Sequence, residues 1–189
     1  MKKLVSESIR EFKERKALNE ARIQFEHPYK NIPNVNKDEL YMEIERALDN
    51  PLGKPLMIWG APGIGKAQIV QAVLRANSKG RLIDVKASEV TPYDLKMVVG
   101  DAANEGEGGV IFLDELSRAS ASVQNICLKL ADERIIGDAK IGSEWVIISA
   151  GDDPDSVQNF STALGNRFEQ VNYVPDFNES IQRFRKKSS

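Results

Sequence analysis

From Leu56 onward the chain alternates short apolar runs with segments whose apolar residues recur every three or four positions. A strand that is apolar throughout, rather than at every second position, must be covered on both faces. This stretch therefore predicts a parallel sheet sandwiched between helices. Strands are predicted near Leu56–Trp59, Arg81–Lys86, Gly109–Leu113, Trp145–Ala150 and Gln170–Val174, and helices near Lys66–Ala76, Pro92–Val99, Ser122–Asp132 and Ser161–Leu164. The stripe Val123, Ile126, Cys127 and Leu130 in the third of these helices places Cys127 in the core. Between that helix and the next strand, Arg134–Ile141 predicts a small hairpin turning at Gly137-Asp138.

Upstream, Asn36 and Glu39 form the start of a capping box for a helix with the stripe Leu40, Ile44, Ala47 and Leu48, ended by Pro51 and Gly53. Before the breaks at His27-Pro28 and Ile32-Pro33, Leu4, Val5, Ile9 and Phe12 lie at helical spacing, followed by Ala17, Leu18, Ala21, Ile23 and Phe25. Eight Lys/Arg and five Glu are interspersed among the first thirty residues. This pattern predicts an amphipathic helical arm with a solvated face.

Composition narrows the function. With 189 residues, a net charge of −2, 41% hydrophobic and 29% charged residues, the chain reads as one soluble globular domain large enough to need neither disulfides nor a structural metal. The near-neutral balance argues against a protein that coats nucleic acid. One cysteine, Cys127, and one histidine, His27, leave no zinc cluster and no Ser-His or Cys-His pair with a nucleophile motif nearby. The N-terminus lacks the apolar run of a signal peptide, and Leu56–Trp59 and Val110–Leu113 are far too short to span a bilayer. A cytoplasmic protein with no membrane contact is expected.

Two motifs carry chemistry. Gly60-Ala61-Pro62-Gly63-Ile64-Gly65-Lys66 follows a predicted strand and opens a predicted helix. In that context the glycines let successive N–H groups point at phosphate oxygens, and the helix N-terminus adds favourable partial charge. Lys66 is placed to reach the β and γ phosphates. The second motif is the apolar run Val110–Leu113 ending in Asp114-Glu115. A neighbouring strand end that delivers an Asp to a Mg²⁺ shell, with an adjacent acid to deprotonate water, makes Asp114 the metal partner and Glu115 the candidate base.

With these residues in view, the chain resembles the AAA+ ATPases, and specifically their MoxR-like branch. The resemblance is carried by Gly60–Lys66, by Asp114-Glu115-Leu116-Ser117-Arg118-Ala119, by Gln124 with Asp132-Glu133-Arg134, and by Trp145–Gly151 and Leu164-Gly165-Asn166-Arg167-Phe168. It covers about residues 38–177 and implies a three-layer α/β P-loop NTPase core with a five-stranded, mostly parallel sheet. It also implies ATP or ADP with Mg²⁺, and ring-forming ATPases that remodel protein clients, often with von Willebrand factor A-domain partners. By the same resemblance Asp152 matches the sensor-1 position, where the family usually has Asn contacting the γ-phosphate. Arg167 matches the arginine finger that reaches a neighbouring subunit's nucleotide, and Arg118 is a candidate interface residue.

Three departures from the pattern shape the expectation. Ala67 stands where Ser or Thr offers Mg²⁺ a hydroxyl, and Asp152 puts a carboxylate in place of a neutral amide. The chain also reads as a helical arm (1–35), a nucleotide-binding core (36–177) and the truncated start of a lid or a tail (178–189), with no lid arginine. The Gly- and acid-rich segment Val98–Gly109 is short where relatives carry pore-facing insertions. A catalytically weakened ATPase is therefore expected, homo-oligomeric when complete and monomeric as this chain. A non-hydrolysing nucleotide-binding scaffold, and a DNA-directed helicase or clamp loader using the basic terminal segments, stand as alternatives.

Overall fold

The computed structural model describes residues 32–78, 80–104, 108–154, 157 and 159–176. The predicted arm up to residue 31, with His27, and the predicted tail 178–189 lie outside the described residues. In chain order the elements are β1 (Asn34–Val35), α1 (Lys37–Asp49), β2 (Leu56–Trp59), α2 (Lys66–Ala76), β3 (Arg81–Lys86), α3 (Pro92–Asn104), β4 (Gly109–Asp114), α4 (Ala121–Glu133), β5 (Ile135–Ile136), β6 (Ala139–Lys140), β7 (Trp145–Ala150), α5 (Thr162–Gly165) and β8 (Glu169–Tyr173).

The capping box forms as predicted. Asn36 Oδ1 accepts from the Glu39 N–H at 3.0 Å and Glu39 Oε2 accepts from the Asn36 N–H at 2.8 Å, which satisfies two donors the first turn of α1 would otherwise leave open. The stripe Leu40, Ile44 and Leu48 is buried against the sheet.

The main sheet has the order β1-β8-β2-β7-β4-β3, and every neighbouring pair is parallel. All five predicted strands are present. The sixth, β1, is too short to leave a hydrophobic pattern and exists through its partner: the Asn172 N–H donates to Pro33 O at 2.9 Å and the Val174 N–H to Val35 O at 3.0 Å. Strands β2 and β7 are buried along their whole length. On one face Leu56, Ile58, Phe112 and Ile148 pack with Leu40, Ile44, Val70 and Val73 of α1 and α2. Side chains that lose all solvent contact, such as Leu40, Phe112 and Ile148, each contribute roughly 1.5–3 kcal/mol. Cys127 is buried as predicted, and burial pushes its thiol up to about 12, which leaves it unreactive. No helix among the described residues is long and apolar enough to cross a membrane.

Helix α3 outruns its prediction, continuing from Val99 through Gly100 to Asn104, so most of the segment expected as a loop is helical. Gly100 faces the hairpin, with Ala139 Cβ 3.6 Å from where its own Cβ would stand. Packing between helix and hairpin thus overrides the local cost of glycine, about 1 kcal/mol relative to alanine.

The hairpin and the start of β7 are held by one side chain. Arg134 ends α4 in the left-handed region, φ 56°, and its guanidinium donates to Pro51 O (2.9 Å), Ile141 O (3.2 Å), Gly142 O (2.7 Å) and Trp145 O (2.6 Å). Arg134→Ala leaves these carbonyls without their donor and should destabilise the fold by about 2–4 kcal/mol. Urea unfolding measures this; a loss below about 1 kcal/mol would mean that water replaces the guanidinium at little cost.

Candidate functional site

In a parallel sheet the carboxyl ends of the strands share one edge, and ligands bind where the strand order reverses. Here β7 is inserted between β2 and β4, with Ile58 opposite Ala150 and Leu113 opposite Ser149. The three strands therefore end level, about 5 Å apart. From β2 comes the loop Gly60–Lys66, from β4 Asp114-Glu115, and from β7 Gly151-Asp152. Pro62, Gly63, Gly65, Lys66, Ala67, Asp114, Glu115 and Asp152 line a single cleft, joined by Gln68 and Gly151.

Two glycines make this approach sterically feasible. Gly60 has φ 145°, and a Cβ there would stand 2.8 Å from Tyr173 O. A Cβ on Gly151 would come within 2.6 Å of Met57 Cε and 2.8 Å of Trp59 Cζ3, so only glycine lets the loop after β7 turn into the cleft over β2.

Lys66 is 9% exposed, and its Nζ donates to Gly60 O at 2.7 Å and Ala61 O at 3.0 Å. Burial lowers its pKa, opposed by the charges of Asp114, Asp152 and Glu115. A desolvated ammonium held by neutral carbonyls gains most from an anion delivered to it. Ile64 instead lines an adjoining groove with Lys37, Tyr41, Ile69 and Tyr173.

Asp114 Oδ1 accepts from the Glu115 N–H at 2.9 Å. Glu115 sits at φ 53°, a conformation uncommon for a residue with a side chain. Its carboxylate accepts from Ser88 Oγ at 2.5 Å and lies 3.5 Å from Lys86 Nζ. The Ser88 hydrogen bond, the largest cause, is opposed by burial, the next largest, and the Lys86 and Arg118 charges tip the balance, so its pKa lies below the usual glutamate range. Glu115 is thus an anion throughout the neutral range. Ser88 and Lys86 carry no motif signal; only the pairing of β3 with β4 brings them there.

Of the two consecutive aspartates, Asp152 lines the cleft while Asp153 is exposed. Asp152 pairs with Arg118 and its N–H donates to Ser117 Oγ at 3.0 Å. Arg167 is not among the cleft residues; its Nε pairs with Asp132 at 2.9 Å on the surface. Gln124 is buried, and its amide donates to Ala119 O (2.9 Å) and Asn159 O (3.2 Å) and accepts from the Ser161 N–H (2.8 Å). That buried side chain ties the turn after Glu115 to the segment that leads into α5 and Arg167.

Residues 55–168, well over half the chain, match the model of the AAA domain (dynein-related subfamily). The chain belongs to this family. Curated relatives of this AAA domain include the replication factor C large subunits of Methanococcus aeolicus, 35% identical over 95 residues, and Sulfolobus acidocaldarius, 29% identical over 113 residues. These matches take in 47% and 52% of this chain but only 20% and 26% of those proteins. Among solved structures, NtrX from Brucella abortus in complex with ADP aligns at a TM-score of 0.51 and 26% identity, over 73% of this chain and 35% of that one. A second NtrX structure, at TM-score 0.54 and 20% identity over 84% of this chain and 40% of that one, shares the fold.

The AAA domain is nucleotide-binding, and its loop Lys is the only cationic side chain lining the cleft among the described residues. Lys66→Ala should therefore weaken nucleotide binding ~10–100-fold, the value of one or two charge-assisted contacts, while the unfolding midpoint stays near that of the parent. Calorimetric titration showing unchanged affinity would remove the phosphate-loop assignment.

Proposed function

We propose that this chain is the nucleotide-hydrolysing module of a MoxR-like AAA+ ATPase that uses ATP to remodel a protein partner in the cytoplasm, with catalysis weakened at Ala67 and Asp152. The observation that carries the reading is the convergence of Lys66, Asp114 and the ionised Glu115 in one cleft at the switch point of the sheet. The block Asp114–Ala119, Gln124 and the β5–β6 hairpin support the MoxR-like branch.

The donor set suits magnesium, which keeps several waters and takes one or two carboxylates plus phosphate oxygens. Asp114 would hold it, and when bound the ion neutralises charge on the β and γ phosphates. Ala67 supplies no hydroxyl to it. Lys66 binds the same phosphates through its ammonium. Glu115, already ionised, accepts a proton from the attacking water as the new P–O bond forms and the bond from γ-phosphorus to the β-phosphate oxygen breaks, releasing ADP. Arg167 would act on a neighbouring subunit's nucleotide. Its ion pair with Asp132 leaves both side chains about half exposed, and pairs of that kind hold by only about 0–1 kcal/mol, so release for such a role is cheap. A client protein or a von Willebrand factor A-domain partner fits the branch.

A second reading, an ATPase of a nucleic-acid-directed complex, is favoured by one finding, the replication factor C large subunits among the relatives. Turnover stimulated by DNA and not by protein clients would favour it. Nucleotide binding with no turnover would favour a scaffold.

The testing experiment is a nucleotide titration with and without Mg²⁺ followed by turnover on the same sample. Ala67→Thr restores a direct metal ligand and should steepen the Mg²⁺ dependence of ATP binding and raise turnover; identical titrations and rates for variant and parent would refute the weakened-catalysis reading. Hydrolysis should also rise in specific activity with protein concentration and fall ~10³-fold or more in Arg167→Ala, the scale of an arginine supplied in trans. Activity flat on dilution and indifferent to Arg167→Ala would show that Arg167 is an ordinary surface residue.

A further inference from the structure

A bare carboxylate beside a terminal phosphate repels it, yet Asp152 is not bare. Its Oδ2 is paired with the Arg118 Nε–H, and its own N–H donates to Ser117 Oγ at 3.0 Å. The turn after β4 and the loop after β7 are therefore joined by two bonds at the cleft mouth. The partners differ in freedom: the Asp152 side chain is 13% exposed and that of Arg118 59%. The carboxylate is fixed in the cleft wall near Lys66, whereas the guanidinium reaches it from the surface, from the short 3₁₀ turn Leu116–Arg118.

Asp152 is also a partition. Behind it lies a second hollow lined by Ser117, Arg118, Ser120, Gln124 and Asn159, so the guanidinium stands at an open space rather than in a packed slot and has room to turn. Its charge also extends beyond its own ion pair, adding to the Ser88 and Lys86 contributions that keep Glu115 ionised. Three carboxylates, Asp114, Glu115 and Asp152, face one ammonium, Lys66, in the cleft. A further phosphoryl group adds negative charge to this balance, and its clustered oxygens offer a guanidinium already held at Asp152 a second charge-assisted acceptor.

We propose that Arg118 is the residue by which this cleft distinguishes a nucleoside triphosphate from a diphosphate, with Asp152 as its docking partner rather than a phosphate contact. The inference rests on the nucleotide-site reading above. With a diphosphate the guanidinium stays on Asp152. A terminal phosphate draws its free nitrogens toward the cleft while Asp152 keeps its hold on the guanidinium, and the same cation then offsets the charge of both anions. Asp152 and Arg118 form a two-residue unit whose donor comes from the turn after β4.

The test is equilibrium titration of the full chain with Mg²⁺ and either ADP or a non-hydrolysable ATP analogue. Arg118→Ala should weaken the triphosphate by at least ~10-fold while the diphosphate changes by less than ~2-fold, and Arg118→Lys should recover part of the loss. If Asp152 positions Arg118, the same Arg118→Ala change made in an Asp152→Asn background should cost less than ~3-fold, because the two effects are coupled. Retained ADP binding in each variant reports an intact fold. Equal losses for both nucleotides, loss of neither, or the same factor in both backgrounds would overturn the proposal. Failure of the parent chain to bind either nucleotide would instead remove the site reading, and the proposal with it.

Discussion

The insertion of β7 between β2 and β4 is the constraint on which the rest of this molecule depends. The phosphate loop and the Asp114-Glu115 pair never touch through their own strands; each pairs with β7 instead, in parallel register, and the three strands end level. Because β7 is buried along its length, the register is specified by packing on both faces, and a slip would turn Val146 and Ile148 away from the α1–α2 side. The Arg134 clamp secures the start of the same strand by binding Trp145 O. The distance between phosphate loop and acidic pair is thus a property of the sheet.

Electrostatics at the strand ends follow from that geometry. Carboxylates from two neighbouring strand ends converge on a lysine pulled out of water, and the fold handles each carboxylate differently. Glu115 receives a hydroxyl and an ammonium from β3 and the turn after it, Asp114 receives a backbone N–H, and Asp152 receives a guanidinium from the turn after β4. None of these partners is adjacent in sequence to the group it serves except the N–H of Glu115. Glu115 and Asp152 are each held by a segment distant in the chain, so changes in the turns after β3 and β4 reach these two acids without touching the loop Gly60–Lys66.

The mechanical connections run outward from the same point. Gln124 satisfies three backbone groups on two different segments, which couples the turn beside the cleft to the N-cap of α5 at Ser161. Arg167 lies just past α5 and rests on Asp132 of α4.

The sequence by itself determined the element order, the five long strands, the glycine loop Gly60–Lys66 between strand and helix, and the acidic pair that ends β4. These rest on local properties: hydrophobic period, a capping box, and glycines that set a strand–loop–helix turn. It also placed Cys127 in the core from one helical stripe. Only the tertiary structure decided that Ser88 and Lys86 serve Glu115, that Asp152 is paired with Arg118, that α3 continues past Gly100 and that β1 exists. Each of these is a contact between segments distant in the chain, formed because the parallel sheet sets β3 beside β4 and β7 between β4 and β2, or because a hairpin packs on a helix. Local patterning holds no information about such neighbours, since parallel pairing is set by which faces the helices can cover and not by the residues flanking each turn.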